Sequence, residues 1–358
     1  RFQLNLTPIT MLPGSMFLFV FCAMLVHGVD LAGNDPLCEP DVYNDTYPFT
    51  PPVVYQQESV KYKLAVIADM DKKARENKAD VWTSKLKTGW LTSDLAGSKF
   101  EVEWDDEITL KGQFAYGGRG MELSELIVFN GKLLTLDDRT GLIYEIQKNS
   151  VIPWVELNDG PGNSTKGFKA EWATVKNNLL WVGGHGTEWV NKAGQKVSDN
   201  PQWVKVVTAG GRVSHRPWQR KYHKLKRAAG IDRNGYITHE AANWSPVHKQ
   251  WFFLPRKASN ESYDDEKDEK RCTNILLRAN EKFTEVKVQH IGTRNEERGF
   301  SSFKFIPGSK DKVAVAIKAV EVGDKTESYI MVFNAVSGEV LLDELKIEDV
   351  KYEGIEFI

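Results

Sequence analysis

Five oxygen-bearing residues recur at one point of a repeated phrase. The phrase is a Gly-type turn followed by a short polar–apolar alternation. It reads GRGMELSEL (118–126), GFKAEWATV (167–175), GYITHEAAN (235–243), GFSSFKF (299–305) and KYEGIEFI (351–358). Ser124, Glu171, Glu240, Ser301 and Glu353 hold the matching place, at intervals of 47, 69, 61 and 52 residues. One such residue on each innermost strand of a closed array would bring three carboxylates and two serines together. Unpaired carboxylates in a narrow space repel and need protons or a cation. A hard divalent ion suits an all-oxygen set; calcium takes about six to eight oxygens in flexible geometry, whereas magnesium asks for a tighter octahedron. No His/Cys cluster accompanies them, which argues against zinc. The expectation is a central Ca2+ site.

The elements that must position these residues read as strands. YKLAVIADM (62–70) is apolar and β-branched, and TGWLTS, KFEVEWD and ITLKGQF alternate as half-buried strands do. Asn130-Gly131 between LIVF and KLLTL is a hairpin signal, and Asn177-Asn178 before LLWVGG repeats the logic. Repeat spacing of this size suggests propeller blades rather than a helical solenoid. The fifth phrase ends the chain, so its strand has to be completed by the strands of residues 62–114. The expected fold is all-β, a five-bladed β-propeller closed by pairing of N- and C-terminal strands. One helix is expected from Pro217, stopped by Gly230, with Trp218, Tyr222, Leu225 and Ala229 on its apolar face. The stretch DDEKDEKR (264–271) reads as an exposed loop, lacking the spacing of a calcium-binding EF-hand loop.

With 49 acidic and 47 basic residues the chain has a formal net charge of -2, which argues against a dedicated nucleic-acid binder. Residues 16–26, MFLFVFCAMLV, are too short for a comfortable membrane span and fit the apolar core of a signal peptide, with Met11 or Met16 as initiator. The expected organisation is therefore residues 1–28 as upstream residues and signal peptide, 29–60 as a Pro-rich extended arm, and 61–358 as the propeller. A secreted chain with no stable membrane anchor follows. Cys22 would leave with the signal, and Cys38 and Cys272 could pair in an oxidising compartment. Asn44, Asn163 and Asn260 stand in N-x-S/T acceptors. Asn243 does too, among neighbours that look structural.

No phosphate-binding P-loop and no G-x-S-x-G nucleophile elbow is present. The stretches AVIADMD, GRGMELSELIVFNGKLLTLDDRTGLIY, KGFKAEW, PQWVKVV, WFFLPRKAS, GFSSFKFIP and KYEGIEFI resemble the calcium-activated nucleotidase family, which includes salivary apyrases of blood-feeding arthropods. The likeness runs from about Tyr43 to Ile358. It implies a five-bladed propeller, a central calcium held by the same five residues, and hydrolysis of nucleoside di- and triphosphates. The family's acidic positions fall on Asp69 and Asp138, either of which could orient the attacking water. Arg119 and Arg139 are candidates to clamp phosphate oxygens, since a guanidinium suits that fork, and Trp172 to stack on the base. Gln202 stands where vertebrate relatives carry Glu, a departure that bears on nucleotide preference. The expected function is a secreted, salivary, calcium-dependent apyrase taking ATP and ADP to AMP and opposing ADP-driven platelet aggregation. The alternatives are a lumenal UDP/GDP-preferring nucleoside diphosphatase and a non-catalytic calcium- and ligand-binding propeller.

Overall fold

A computed structural model describes residues 42–76, 80–191 and 195–358. The expected signal peptide, the first part of the arm and the Cys38 half of the expected disulfide lie outside the described residues. Cys272 is buried.

The described chain is built almost wholly of antiparallel strands. β1 (Val53–Tyr55) and β2 (Ser59–Ala68) form a hairpin that β3 (Trp82–Asp94) and β4 (Phe100–Gly112) extend. KFEVEWD and ITLKGQF, expected as two strands, are thus one long β4. A meander follows: β5 (Leu123–Phe129), β6 (Lys132–Asp137), β7 (Leu142–Gln147) and β8 (Ser150–Glu156). Its first turn, Asn130-Gly131, has positive φ at both residues, as the hairpin signal requires. β9 (Trp172–Lys176) and β10 (Leu179–Gly183) pair. A small hairpin of β11 (Trp189–Val190) and β12 (Lys196–Ser198) intervenes before β13 (Trp203–Val207) and β14 (Val213–Pro217) complete that sheet.

The expected helix is α1 (Gln219–Ala228), ending before Gly230 at φ 73°, with Trp218, Tyr222 and Leu225 buried. Then come β15 (Tyr236–Ser245), β16 (Gln250–Ser259), α2 (Asp265–Asp268), β17 (Ile275–Asn280) and β18 (Val286–His290). α2 replaces the loop expected for 264–271. Asp264 caps it by accepting from Lys267 N at 3.1 Å, and Asp268 is buried against Lys257 at 2.6 Å. β19 (Arg298–Phe305), β20 (Val313–Val322), β21 (Lys325–Asn334) and β22 (Val340–Glu348) form the last meander. β23 (Tyr352–Phe357) returns to pair with β2.

Five strands stand beside one another at the centre. β5 packs against β9, β9 against β15, β15 against β19, β19 against β23 and β23 against β5. Gly354 permits the last approach: a Cβ there would lie 2.4 Å from Leu126 N. Each neighbouring pair of sheets encloses its own apolar core, built around residues such as Trp251, Val332, Phe129, Phe333 and Leu110. Burying one such side chain is worth about 1.5–3 kcal/mol, so every sheet is stabilised from both faces. The all-β architecture is consistent with a propeller. Among the acceptor asparagines, Asn243 is buried, donating to Phe303 O at 2.5 Å and accepting from Thr174 Oγ1 at 3.2 Å. Its role is to tie β9, β15 and β19 together.

Candidate functional site

The five central strands carry the site, at or just before the start of β5, β9 and β23 and mid-strand in β15 and β19. Regular pairing in these strands breaks where the recurring oxygen residues stand. Leu123 opposes Asp137 and Glu125 opposes Leu136, leaving Ser124 as the extra residue of a β-bulge. Glu240 is extra between His239 and Ala241, Ser301 between Phe300 and Ser302, and Glu353 between Tyr352 and Gly354. The amide of Glu171 donates to Gly183 O at 2.8 Å, although Gly183 already opposes Trp172. A bulge frees one residue from the ladder and re-aims its side chain, which is why bulges gather beside working sites.

What surrounds these residues is mostly charge. Arg256 Nη1 donates to Glu240 at 2.6 Å and to Glu353 at 2.9 Å, and its other nitrogen reaches Glu321 at 3.2 Å. Arg256 is itself the residue skipped in the β15–β16 register, and Gly299 makes room for it: a Cβ there would lie 2.5 Å from Arg256 Cγ. Lys351 Nζ lies 2.7 Å from both Asp69 and Asp71 and 3.6 Å from Glu353. Lys169 Nζ bridges Asp138 and Glu171, the latter at 2.6 Å. Arg119 Nε donates to Glu122 at 2.6 Å while its Nη2 donates to Asp71 at 3.1 Å. Eight carboxylates thus share four cations, so the cluster carries surplus negative charge when ionised.

Burial, with repulsion from neighbouring carboxylates, moves four of these acids upward, whereas Arg256 and Lys351 overcome burial at Glu321 and hold it down to about 2. Burial raises Glu171 to about 8, against Lys169 and with Glu240 adding repulsion. Glu353 is pushed well above the usual carboxylate range by burial, although Lys351 opposes the shift. Asp138 is raised by burial against Lys169, and Glu122 by burial to about 7. Such groups favour the ionised form only when further positive charge arrives.

The other residues singled out from sequence divide. Asp69 and Asp138 are both buried within the cluster, and Asp138 Oδ1 has no hydrogen-bond partner. Asp137, not Asp138, organises the turn, accepting from the amides of Met121, Arg139 and Thr140. Arg119 is paired with Glu122 and Asp71 and keeps about a quarter of its side chain exposed, at 28%. Arg139 keeps a buried Nε without a partner. Trp172 has no exposed surface. It packs on Trp218, Trp251 and Phe253 with ring centroids 5.7–6.3 Å apart, so a base has no face to stack on. Sequence reasoning missed Lys169, Arg256 and Lys351. Lys169 and Lys351 stand two residues before Glu171 and Glu353, a spacing that places side chains on one face of an extended segment.

The apyrase family profile matches residues 69–358. The chain belongs to the apyrase family. Soluble calcium-activated nucleotidase 1 of Mus musculus is 49% identical over 317 residues, 88% of this chain and 78% of that one. An apyrase of Cimex lectularius is 45% identical over 319 residues, covering 88% and 87% of the two chains. An apyrase of Phlebotomus duboscqi is 39% identical over 301 residues, covering 82% and 88%. As an apyrase this chain is a nucleotide phosphohydrolase, and its site must neutralise phosphate oxygens and orient a water.

The donors fit a hard cation. They are all oxygen, the carboxylates outnumber their cationic partners, and Ser301 Oγ and Asp138 Oδ1 are buried with no hydrogen-bond partner. Carboxylate oxygens of Asp69, Asp71 and Glu122 also lie within 4.8 Å of one another and could hold a metal ion. Among the described residues no helix is long and apolar enough to cross a membrane.

Proposed function

We propose that this apyrase is a secreted, five-bladed propeller that uses calcium to hydrolyse ATP and ADP to AMP and phosphate. In this reading Ser124, Glu171, Glu240, Ser301 and Glu353 hold the ion. The observation that carries it is the coincidence of four β-bulges with four of these residues, while the amide of the fifth, Glu171, donates to Gly183 O although Gly183 already opposes Trp172. Irregularities at matching residues of five mutually packed strands are a device for aiming side chains at one point. The ion supplies the positive charge that lets a polyphosphate approach a cluster otherwise short of cations.

The chain's own residues do the rest. Lys169, Arg256 and Lys351 offer fixed positive charge to phosphate oxygens. Asp138, buried with one free oxygen, holds the attacking water by accepting one of its protons, and Asp69 keeps Lys351 in place at 2.7 Å. Arg139 is the remaining guanidinium for the phosphates. Extracellular removal of ADP would oppose platelet aggregation, a role supported by the likeness to apyrases of Cimex lectularius and Phlebotomus duboscqi.

Phosphate release from ADP and ATP, with calcium and with chelator plus magnesium, tests the reading. Release in calcium that stops in chelator is expected. Full activity in chelator and magnesium would overturn the calcium role. A rate on UDP far above that on ADP would favour the nucleoside diphosphatase alternative instead.

A further inference from the structure

No Asp or Glu stands between Asp199 and Asp232, a stretch that carries eight Lys and Arg. The whole chain has a formal net charge of -2, so the rest of it is net acidic. Positive charge is thus gathered in one place, on α1 and the strand before it. α1 buries Tyr222 and Leu225, with Trp218 buried at its N-cap, in the core they share with Trp251 and Phe283. The opposite face holds Arg220, His223, Lys224 and Arg227, all exposed, at the i, i+3, i+4, i+7 spacing of one helical stripe. Arg216, exposed on β14, lies near enough to act on α1: burial, and then Arg216, push the Lys221 ammonium below its ordinary value.

Two features set this face apart from an ordinary solvated one. Exposed helix faces gain support from opposite charges at i, i+4. Among the described residues, none of Arg216, Arg220, Lys224 and Arg227 is in an ion pair. The helix dipole also favours acids in the first turn and cations in the last. α1 has no acid in its first turn, where Arg220 and Lys221 stand instead, and Trp218 gives no side-chain cap. Cations kept where they oppose one another and the dipole break local rules in the way functional surfaces do, and they ask for an external counter-charge.

The chemistry of that counter-charge follows from what the face lacks. Trp218, Tyr222 and Leu225 all lie in the core, so the helix has no large apolar side chain to insert into lipid or to stack on bases. The net acidic remainder of the chain disfavours a broad anionic surface, whereas a thin anionic chain can lie along the stripe alone. Guanidinium forks match carboxylate and phosphate oxygens, and sulfate presents the same tetrahedral array. We propose that the α1 face is a docking surface for a sulfated polysaccharide, held by Arg216, Arg220, Lys224 and Arg227. β14 is the strand farthest from the central β9 in its sheet, so a docked chain leaves the charged cluster free.

A heparin hexasaccharide titrated into the full chain is the probe. It should bind saturably, with an affinity that falls as salt rises. The triple change Arg220→Ala, Lys224→Ala and Arg227→Ala should weaken it by at least about tenfold and lower the slope of log Kd against log salt by about two to three. Changing Lys99, Lys270 and Lys325 to Ala together, three exposed cations elsewhere, should alter it little. Lys224→Glu gives a separate measure. Its carboxylate would stand four residues after Arg220 and three before Arg227, so the protein should melt no lower, yet heparin should weaken more than in Lys224→Ala. ADP hydrolysis without heparin should be the same in all four variants. No binding by the unaltered protein, an equal loss in the three-lysine control, or unchanged affinity in Lys224→Glu would overturn the proposal. So would equal affinity for desulfated heparin, or tighter binding of phosphatidylserine vesicles or single-stranded DNA.

Discussion

The five central strands carry polar groups at two depths, and the two depths solve the problem of buried charge differently. Around the recurring Ser and Glu positions, eight carboxylates share Arg119, Lys169, Arg256 and Lys351, and several acids are pushed upward by burial and mutual repulsion. A few residues further along, two carboxylates, Glu125 and Glu356, share Lys304, and hydrogen bonds from neutral groups do most of the pairing. Lys304 Nζ lies 3.2 Å from Glu125, whose other oxygen accepts from Ser302 Oγ and from Leu126 N at 2.8 Å. Glu356 accepts from Val128 N at 3.1 Å and from Tyr47 OH at 2.8 Å, and Asn243 and Thr174 satisfy each other. The deeper layer ties sheets together mainly through hydrogen bonds from backbone amides and hydroxyls, with the Lys304–Glu125 ion pair at 3.2 Å inside it. The upper layer relies on shared charges, and the reading proposed above adds a cation there.

Breaking the deeper layer should therefore cost stability first. Lys304→Met leaves Glu125 buried beside Ser302 with its counter-charge gone. Removing one partner of a buried pair costs about 3–5 kcal/mol, because the remaining charge stays desolvated. Urea unfolding should show that loss, and the double change Lys304→Met with Glu125→Gln should recover much of it. ADP hydrolysis per folded molecule should change little. A selective loss of activity with stability intact would mean the layers are not separate.

The reverse change sharpens the contrast. Glu353→Gln should lower kcat/KM for ADP on the order of 100-fold, at the upper end of what loss of a metal-site partner costs. Its melting temperature without calcium should stay near that of the unaltered protein, since one of several mutually repelling carboxylates is gone. Calcium at about 100 times its Kd should stabilise the unaltered protein by roughly 2.7 kcal/mol. That gain should shrink sharply in Glu353→Gln and persist in Lys304→Met. A full calcium gain in Glu353→Gln would remove this residue from the ligand set.

How far the two layers were legible in the sequence follows from how local their signals are. The strands, the Asn-Gly hairpin, the return of β23 to β2 and α1 rest on alternation, turn chemistry and period, all carried by neighbouring residues. The recurring Ser and Glu positions were visible for the same reason. Arg256 was not, because its partners Glu240 and Glu353 belong to β15 and β23, and only the packing of the strands brings them together. Trp172 read as a stacking platform because an aromatic beside a ligand residue has the same sequence whether it faces a substrate or the core. The deeper layer left no mark: Glu125 and Lys304 look like outward-facing residues of alternating strands until each strand is seen walled in on both sides.

The smallest expected effect lies where the arm meets the deeper layer. Tyr47→Phe removes the donor to Glu356 and should cost about 1 kcal/mol near neutral pH, with activity and calcium response unchanged. The sign with pH follows from the shift. Burial raises the folded Glu356 carboxyl above its ordinary 4.5, with Lys304 and the Tyr47 hydrogen bond opposing. Stability linked to Glu356 is therefore fully present below about 4.5 and lost as pH rises through the folded value. Losing the Tyr47 donor lifts the folded value further, so Tyr47→Phe should melt increasingly below the unaltered protein as pH rises from 4.5. Glu356→Gln, which has no proton to lose, should flatten that dependence. Thermal melts of the three proteins across this range decide it. Parallel curves would show that Tyr47 only covers Glu356 and does not hold its charge.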